Sequence, residues 1–213
     1  MIQYTYSQLA DHLHERLTDV LPGEAAQQKM ASSLRNAGQL NFKTDGKTRQ
    51  GAVCILFYQK QDIWHLPLIV RPEYDGTHSG QVAFPGGKVE ETDPTYVATA
   101  LREMHEEIGV PTDSVQILGA LTPLLVIASN FMVHPFVGIT SEAPVFIPDS
   151  REVAKIIEVP LPDLLDDNRR SAKEIQVRGF SLWAPYFDLE GQTVWGATAM
   201  MLSELIEVLK KST

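Results

Sequence analysis

An α/β fold of the α+β type, a mixed β-sheet sandwiched between helices, is predicted by three features of the sequence. Apolar runs of strand length recur from Gly51 onward, separated by short turn-rich segments. A strongly amphipathic segment sits in the middle of the chain, and a second helical pattern closes it. No repeat or low-complexity tract interrupts this order. One domain, residues 49–213, is expected after an N-terminal helical extension over residues 1–48.

The elements are expected in the following order. Residues 5–20 carry Leu9, Leu13 and Leu17 at a spacing of four, which predicts an amphipathic helix stopped by Pro22-Gly23. "GEAAQQKMASSLR" predicts a second, weaker helix, and "NFKTDGKTRQ" a polar, turn-rich stretch. "GAVCILFYQ" and "WHLPLIV" read as buried strands around the turn "KQDI", "RPEYDGTHSG" as a loop, and "QVAF" as a short strand. "PGGKVEETDP" reads as a tight loop leading into a helix from Pro94 to Ile108, with Pro94 in its first turn. "VQILGALTPLLV" and "MVHPFVGIT" are strands joined by "IASN"; "VAKIIEVPL" is another, followed by the helical turn "LPDLLDD". "IQVRGFSLWAPYFDL" predicts paired strands, "EGQ" the next turn, and "GATAMMLSELIEVLKK" a helix whose closing lysines suit the negative end of its dipole.

Charge and composition exclude several functions. The net charge of −9 argues against a protein that grips a nucleic-acid backbone. It leaves open a phosphorylated small molecule held through metal ions. No apolar stretch approaches the roughly 20 residues of a membrane span, and the N-terminus has no basic, apolar leader. A soluble cytoplasmic protein is the expectation, with no membrane and no nucleic-acid partner. The single cysteine, Cys54, excludes an internal disulfide and lies in an apolar run, where it reads as a core residue.

The informative stretch is "LREMHEEIGV". At about 100° per residue, Glu103, Glu106 and Glu107 share one arc of a helix, with Val97, Leu101, Met104 and Ile108 roughly opposite. A solvated face would leave three carboxylates repelling one another with only Arg102 nearby to offset them. A hard divalent cation such as Mg²⁺, which selects oxygen ligands, resolves the conflict.

This helix follows a glycine loop, and "FPGGKVEETDPTYVATALREMHEEIGV" resembles the signature of the Nudix hydrolases. Gly87, Arg102, Glu103, Met104, Glu106, Glu107, Gly109 and Val110 fit it. The acid between loop and helix is Asp93 rather than glutamate, with eight residues before Arg102 rather than seven. The resemblance implies a Nudix hydrolase domain over residues 49–213 that cleaves the diphosphate of a nucleoside diphosphate linked to another group. Mg²⁺ or Mn²⁺ would be held by Glu103, Glu106, Glu107 and the Gly87 carbonyl. Arg102 would fix a glutamate rotamer, and Asp93 would stabilise the loop and helix start. The general base would be one of these glutamates or a carboxylate from a later loop, where Glu142, Glu152 and Glu158 are candidates.

The preceding segment, "LIVRPEYDGTHSGQVAFPGGKVEETD", resembles the coenzyme A pyrophosphatase branch at Arg71, Gly80, Val82, Phe84, Pro85, Gly86, Gly87 and Asp93. It departs from that branch at Pro72, where serine is usual, and at Gly76, where a second arginine is usual. The branch implies coenzyme A or acyl-coenzyme A as substrate, with Arg71, His78, Gly80 and Phe84 at the substrate. ADP-ribose, a dinucleotide or a damaged nucleotide is the alternative within the family, and a non-catalytic ligand-binding regulator the alternative outside it. A homodimer is a further expectation from the family. His65, His105 and His134 are assigned no role.

Overall fold

The computed structural model describes residues 4–36, 46–73, 79–177 and 180–210. The chain opens with helices α1 (Tyr6–Thr18), α2 (Gly23–Gln28) and α3 (Ser33–Asn36). Thr5 starts α1 with a reciprocal capping box: its hydroxyl accepts the Gln8 N–H while the Gln8 side chain accepts the Thr5 N–H. The expected second helix is broken at residues 29–32 into α2 and α3.

Strands β1 (Arg49–Lys60) and β2 (Ile63–Val70) follow, joined through Gln61 and Asp62, which both have positive φ. That geometry matches the twist of a tight antiparallel hairpin. Next come β3 (Val82–Ala83), β4 (Gly86–Lys88), helix α4 (Tyr96–Ile108), β5 (Val115–Ala120), β6 (Leu124–Val126), β7 (Phe131–Thr140) and β8 (Lys155–Pro160). Helix α5 (Leu161–Leu165), β9 (Arg170–Val177), β10 (Phe180–Leu189), β11 (Gln192–Trp195) and α6 (Gly196–Lys210) complete the order.

Eight strands form one mixed sheet along the path β3-β2-β1-β7-β5, with β4 on β1, β6 on β7 and β8 on β2. The β1–β7 pair is parallel and the other pairs are antiparallel. Strand β1 is two-faced. Ala52, Cys54 and Leu56 pack with Ala100, Met104 and Ile108 of α4, whereas Ile55 and Phe57 join α1 and α6 on the other face. The sheet therefore lies between helices, as expected. The β11-β10-β9 sheet adds Phe187, Leu189 and Val194 to the α6 side of the core.

Three local expectations change. Helix α4 begins at Tyr96, and the Thr95 hydroxyl caps it by accepting the Ala98 N–H, so Pro94 lies outside the helix. The glycine segment is a short strand, β4, hydrogen-bonded to β1. "VQILGALTPLLV" is split into β5 and β6 at residues 121–123.

Helix α6 is buried nearly all round, and it carries a fully buried carboxylate, Glu204. Four donors satisfy it: the Gly23 N–H, the Gln27 side-chain amide, the Thr122 N–H and the Thr122 hydroxyl, at 2.7–3.2 Å. Those bonds tie α2 and the β5–β6 connection to α6, while Leu9, Leu13 and Leu17 of α1 enter the same core. Cys54 is fully buried, and desolvation pushes its thiol up to about 12, so it is inert packing.

Candidate active site

The pairing of β4 with β1 brings the glycine loop onto the sheet and under α4. Gly86 has φ +153°, and a Cβ there would sit 2.3 Å from the Ala52 carbonyl oxygen. Only glycine allows that approach. The Gly86 N–H is thereby aimed at the helix and donates to Glu107 Oε2 at 2.8 Å. At Gly87 the missing Cβ leaves room for a carboxylate: a Cβ would lie within 2.5 Å of both Glu103 oxygens.

Arg102 is the hub of the α4 face. Its Nε and Nη2 donate to Asp93 Oδ1 and Oδ2 at 3.0 and 2.9 Å, and Nη2 also donates to the Lys88 carbonyl. Its Nη1 reaches Glu106 at 2.8 Å and Glu103 at 3.1 Å. Asp93 also accepts the Thr99 hydroxyl and the Glu90 N–H. The Arg102 hydrogen bonds, with help from those donors, hold the Asp93 carboxyl well below the usual carboxylate range despite desolvation. Asp93 thus links the loop to the helix, the role expected for it.

The three glutamates occupy different environments. Glu107, expected on an exposed arc, is only 1% exposed. The reason is that β4 covers the helix at that point, so the α4 surface is buried beyond its apolar stripe. Burial first, then repulsion by Glu103 and Glu152, pushes the Glu107 carboxyl up to about 8, against the opposing Gly86 N–H and Arg71. Burial also raises Glu103, with Arg102 working against it. Glu106 is the exposed member, turned to Arg102.

These groups line a cleft of about 1210 Å³ between the main sheet and the β9–β11 sheet. Arg71 follows β2 and borders it; its Nε is buried without a hydrogen-bond partner among the described residues, and its charge acts on Glu107. Gly80 and Phe84 also border the cleft, although Phe84 is 1% exposed and packs mainly into the core. His78 lies outside the described residues. Of the later carboxylates, Glu152 borders the cleft and interacts with Glu103 and Glu107. Glu142 is exposed elsewhere, and Glu158 is engaged by Tyr58 and Lys60. Lys173, Thr193 and Trp195 of the β9–β11 sheet also line the cleft. Sequence reading gave Lys173 and Thr193 no place there, because their signal is only the register of a late hairpin.

The donor set suits a hard divalent cation. Glu103 and Glu107 are desolvated carboxylates with raised pKa, stacked against a backbone that a Cβ would block, and Glu152 adds negative charge. Their mutual repulsion is what a cation relieves. The side chains do not already close into a cage: no group of three acids, histidines or cysteines among the described residues converges on one point. Arg102 holds Glu103 and Glu106, so binding calls for those carboxylates to turn from it.

A glycine loop laid on a carboxylate helix at the edge of a mixed sheet defines a Nudix-type hydrolase. The NUDIX domain model matches residues 47–178, and the chain belongs to this family of hydrolases. It is 38% identical to the uncharacterized Nudix hydrolase NudL of Enterobacter sp. (strain 638) over 159 residues, 74% of this chain and 81% of that protein. NudL of Yersinia pestis (strain Pestoides F), also described as uncharacterized, is 35% identical over 67% of this chain and 76% of its own. The fold is similar to that of the Nudix hydrolase RenU of M. smegmatis (TM-score 0.53, 16% identity, 76% of this chain and 86% of that one). It is also similar to that of a MutT/nudix family protein from Enterococcus faecalis (TM-score 0.52, 14% identity, 98% and 76%). Among the described residues, no helix is long and apolar enough to cross a membrane.

Proposed function

We propose that this Nudix pyrophosphohydrolase acts on coenzyme A or acyl-coenzyme A, with Mg²⁺ or Mn²⁺, giving 3′,5′-ADP and the (acyl-)4′-phosphopantetheine. The observation that carries the diphosphate chemistry is the pairing of Glu103 and Glu107 with the glycine backbone, beside an Arg71 whose Nε lacks a partner among the described residues. The coenzyme A assignment is supported by the resemblance from Arg71 to Asp93 and by a cleft of about 1210 Å³ that extends beyond the glycine loop to the β9–β11 sheet.

Glu103 and Glu107 are the metal-holding carboxylates of this reading, with Glu106 and the Gly87 carbonyl completing the set. The bound metal supplies neutralisation of the phosphate oxygens and acidification of the attacking water. Arg71, whose Nε has no partner among the described residues, donates from its guanidinium to a phosphate oxygen. Asp93 and Arg102 act by position: their ion pair keeps the loop and helix in register. Glu152, which borders the cleft on the loop after β7, is the base of this reading and would accept the proton of the water. His78 is kept as a substrate contact only on the family resemblance. The homodimer and the cytoplasmic location also remain proposals from that resemblance and from the composition.

A second reading keeps the chemistry and changes the substrate to ADP-ribose, a dinucleotide or a damaged nucleotide. It is favoured by Gly76, which stands where the coenzyme A branch has an arginine. Mass spectrometry of products decides between them. The protein is incubated with Mg²⁺ or Mn²⁺ and, in parallel, coenzyme A, ADP-ribose, NADH and an oxidised dGTP. Release of 3′,5′-ADP from coenzyme A, faster than cleavage of the others, is the expected result. Cleavage of another substrate alone removes the coenzyme A assignment, and no cleavage with any metal favours a non-catalytic binding domain.

A further inference from the structure

The cleft has cations on two walls, and they differ in what they face. Arg71 and Lys88 flank the glycine loop, next to the carboxylates that hold the metal in the reading above. Lys173 stands on the other wall, on β9. Its ammonium donates to the Thr193 hydroxyl at 2.8 Å and sits 4.6 Å from the centre of the Tyr186 ring. It makes no ion pair with a carboxylate among the described residues. Its neighbour Glu174 also borders the cleft, but alternates with it along the strand and so leaves from the opposite face of the sheet. A lysine ammonium has three donors, and one is used here. The remaining N–H groups and the full charge of a positioned cation are left for a ligand.

The neighbours of Lys173 indicate which ligand. Tyr186, whose ring the ammonium lies over, stands opposite Trp195 in the β10–β11 register. Trp195 itself lines the cleft. An indole wall accepts the flat face of a base. A base held there, with its diphosphate at the glycine loop, has its ribose between the two walls. Lys173 is the cation on the Trp195 side of the cleft, the side opposite Arg71 and the metal-holding carboxylates, where an anionic ribose substituent would meet it.

We propose that Lys173, positioned by Thr193 and Tyr186, reads a second anionic group on the substrate, a phosphomonoester on the ribose of the nucleotide half. This rests on the nucleoside diphosphate reading of the cleft, and it makes Lys173 a specificity-determining residue and not part of the hydrolytic machinery. The cleft thereby takes ribose-phosphorylated nucleoside diphosphates in preference to plain ones.

The test is calorimetric binding of 3′,5′-ADP and of AMP to wild type, Lys173→Gln and Lys88→Gln. Neither probe contains a diphosphate, so the readout does not depend on turnover. Wild type is expected to bind the bisphosphate about tenfold more tightly than AMP, as one added charge-assisted contact implies. Lys173→Gln is expected to bring that ratio close to one with little change for AMP. Lys88→Gln removes an equal charge from the cleft and is expected to keep the ratio. Lys173→Arg, which retains the cation, is expected to keep most of it. No preference in wild type, a preference that survives in Lys173→Gln, or an equal loss in Lys88→Gln would each overturn the proposal. Failure of the hydrolase reading is a separate observation, the absence of cleavage of any diphosphate by wild type.

Discussion

Arg102 and Asp93 form a two-pronged ion pair, with Nε and Nη2 of the guanidinium on separate oxygens of the carboxylate. The pair closes the loop between β4 and α4 and is largely buried, with 5% of the Asp93 side chain exposed. Asp93→Asn removes the most buried of the three carboxylates that Arg102 contacts, leaving Glu103 and Glu106, and should cost roughly 2–4 kcal/mol in stability. The pH dependence has a definite sign. The folded carboxyl is held below its ordinary value near about 4. Its contribution is therefore complete above that value and is lost as pH falls toward the depressed one. Urea denaturation should show a constant gap between wild type and variant from neutral pH down to about 5, closing in stronger acid. A gap that stays open in acid would assign the loss to packing.

The two glycines of the loop should separate fold from activity. Gly86→Ala drives a Cβ into the Ala52 carbonyl and the Val53 backbone, neither of which can give way, so loss of several kcal/mol or failure to fold is expected. Gly87→Ala meets the carboxylate end of the Glu103 side chain, which can swing aside. That variant should keep its Tm within a few degrees while turnover falls by a factor of about 100 or more. Thermal melts and initial rates on both variants check this, and equal losses of stability would contradict it.

Arg71→Ala removes the guanidinium beside Glu107. If it binds phosphate equally in ground and transition state, KM should rise about tenfold or more with kcat little changed. An unaltered KM would show that Arg71 does not contact substrate.

Much of this site was legible because its residues are local in sequence. The spacing of Glu103, Glu106 and Glu107 places them on one helix whatever the rest of the chain does, and Gly86 and Gly87 stand just before it. What was not legible depends on contacts between distant segments. The burial of Glu107 comes from β4 crossing α4, and a period count on one helix carries no trace of a strand that covers it. Selecting Glu152 from three later carboxylates required the loop after β7 to be folded against the cleft. Lys173 enters the site only through the β9–β10 register and the packing of that hairpin across the cleft. The break of "VQILGALTPLLV" has the same origin: Thr122 leaves the strand to meet Glu204, a partner 82 residues away.

Glu204 supplies the clearest test of how the N-terminal helices relate to the rest. Glu204→Ala strands donors on α2 and on the β5–β6 connection in a dry site, which should cost about 3–5 kcal/mol. A chain lacking residues 1–36 should be destabilised by a similar amount or more, because α1 and α2 lie in the shared core. Chemical denaturation of both checks this. A truncated chain as stable as the full one would make the helices an appendage.

Glu103 and Glu107 are crowded against the glycine backbone, the arrangement expected if a divalent cation is their partner. The most direct measurement is Mn²⁺ binding, followed by electron paramagnetic resonance on wild type, Glu103→Gln and Glu107→Gln at neutral pH, with kcat measured on the same samples. A site in wild type is expected, with affinity lowered by about tenfold or more in each variant, turnover lowered by about 100-fold or more, and Tm nearly unchanged. Wild-type affinity and turnover in Glu107→Gln would contradict it and leave the buried carboxylate with a purely structural role.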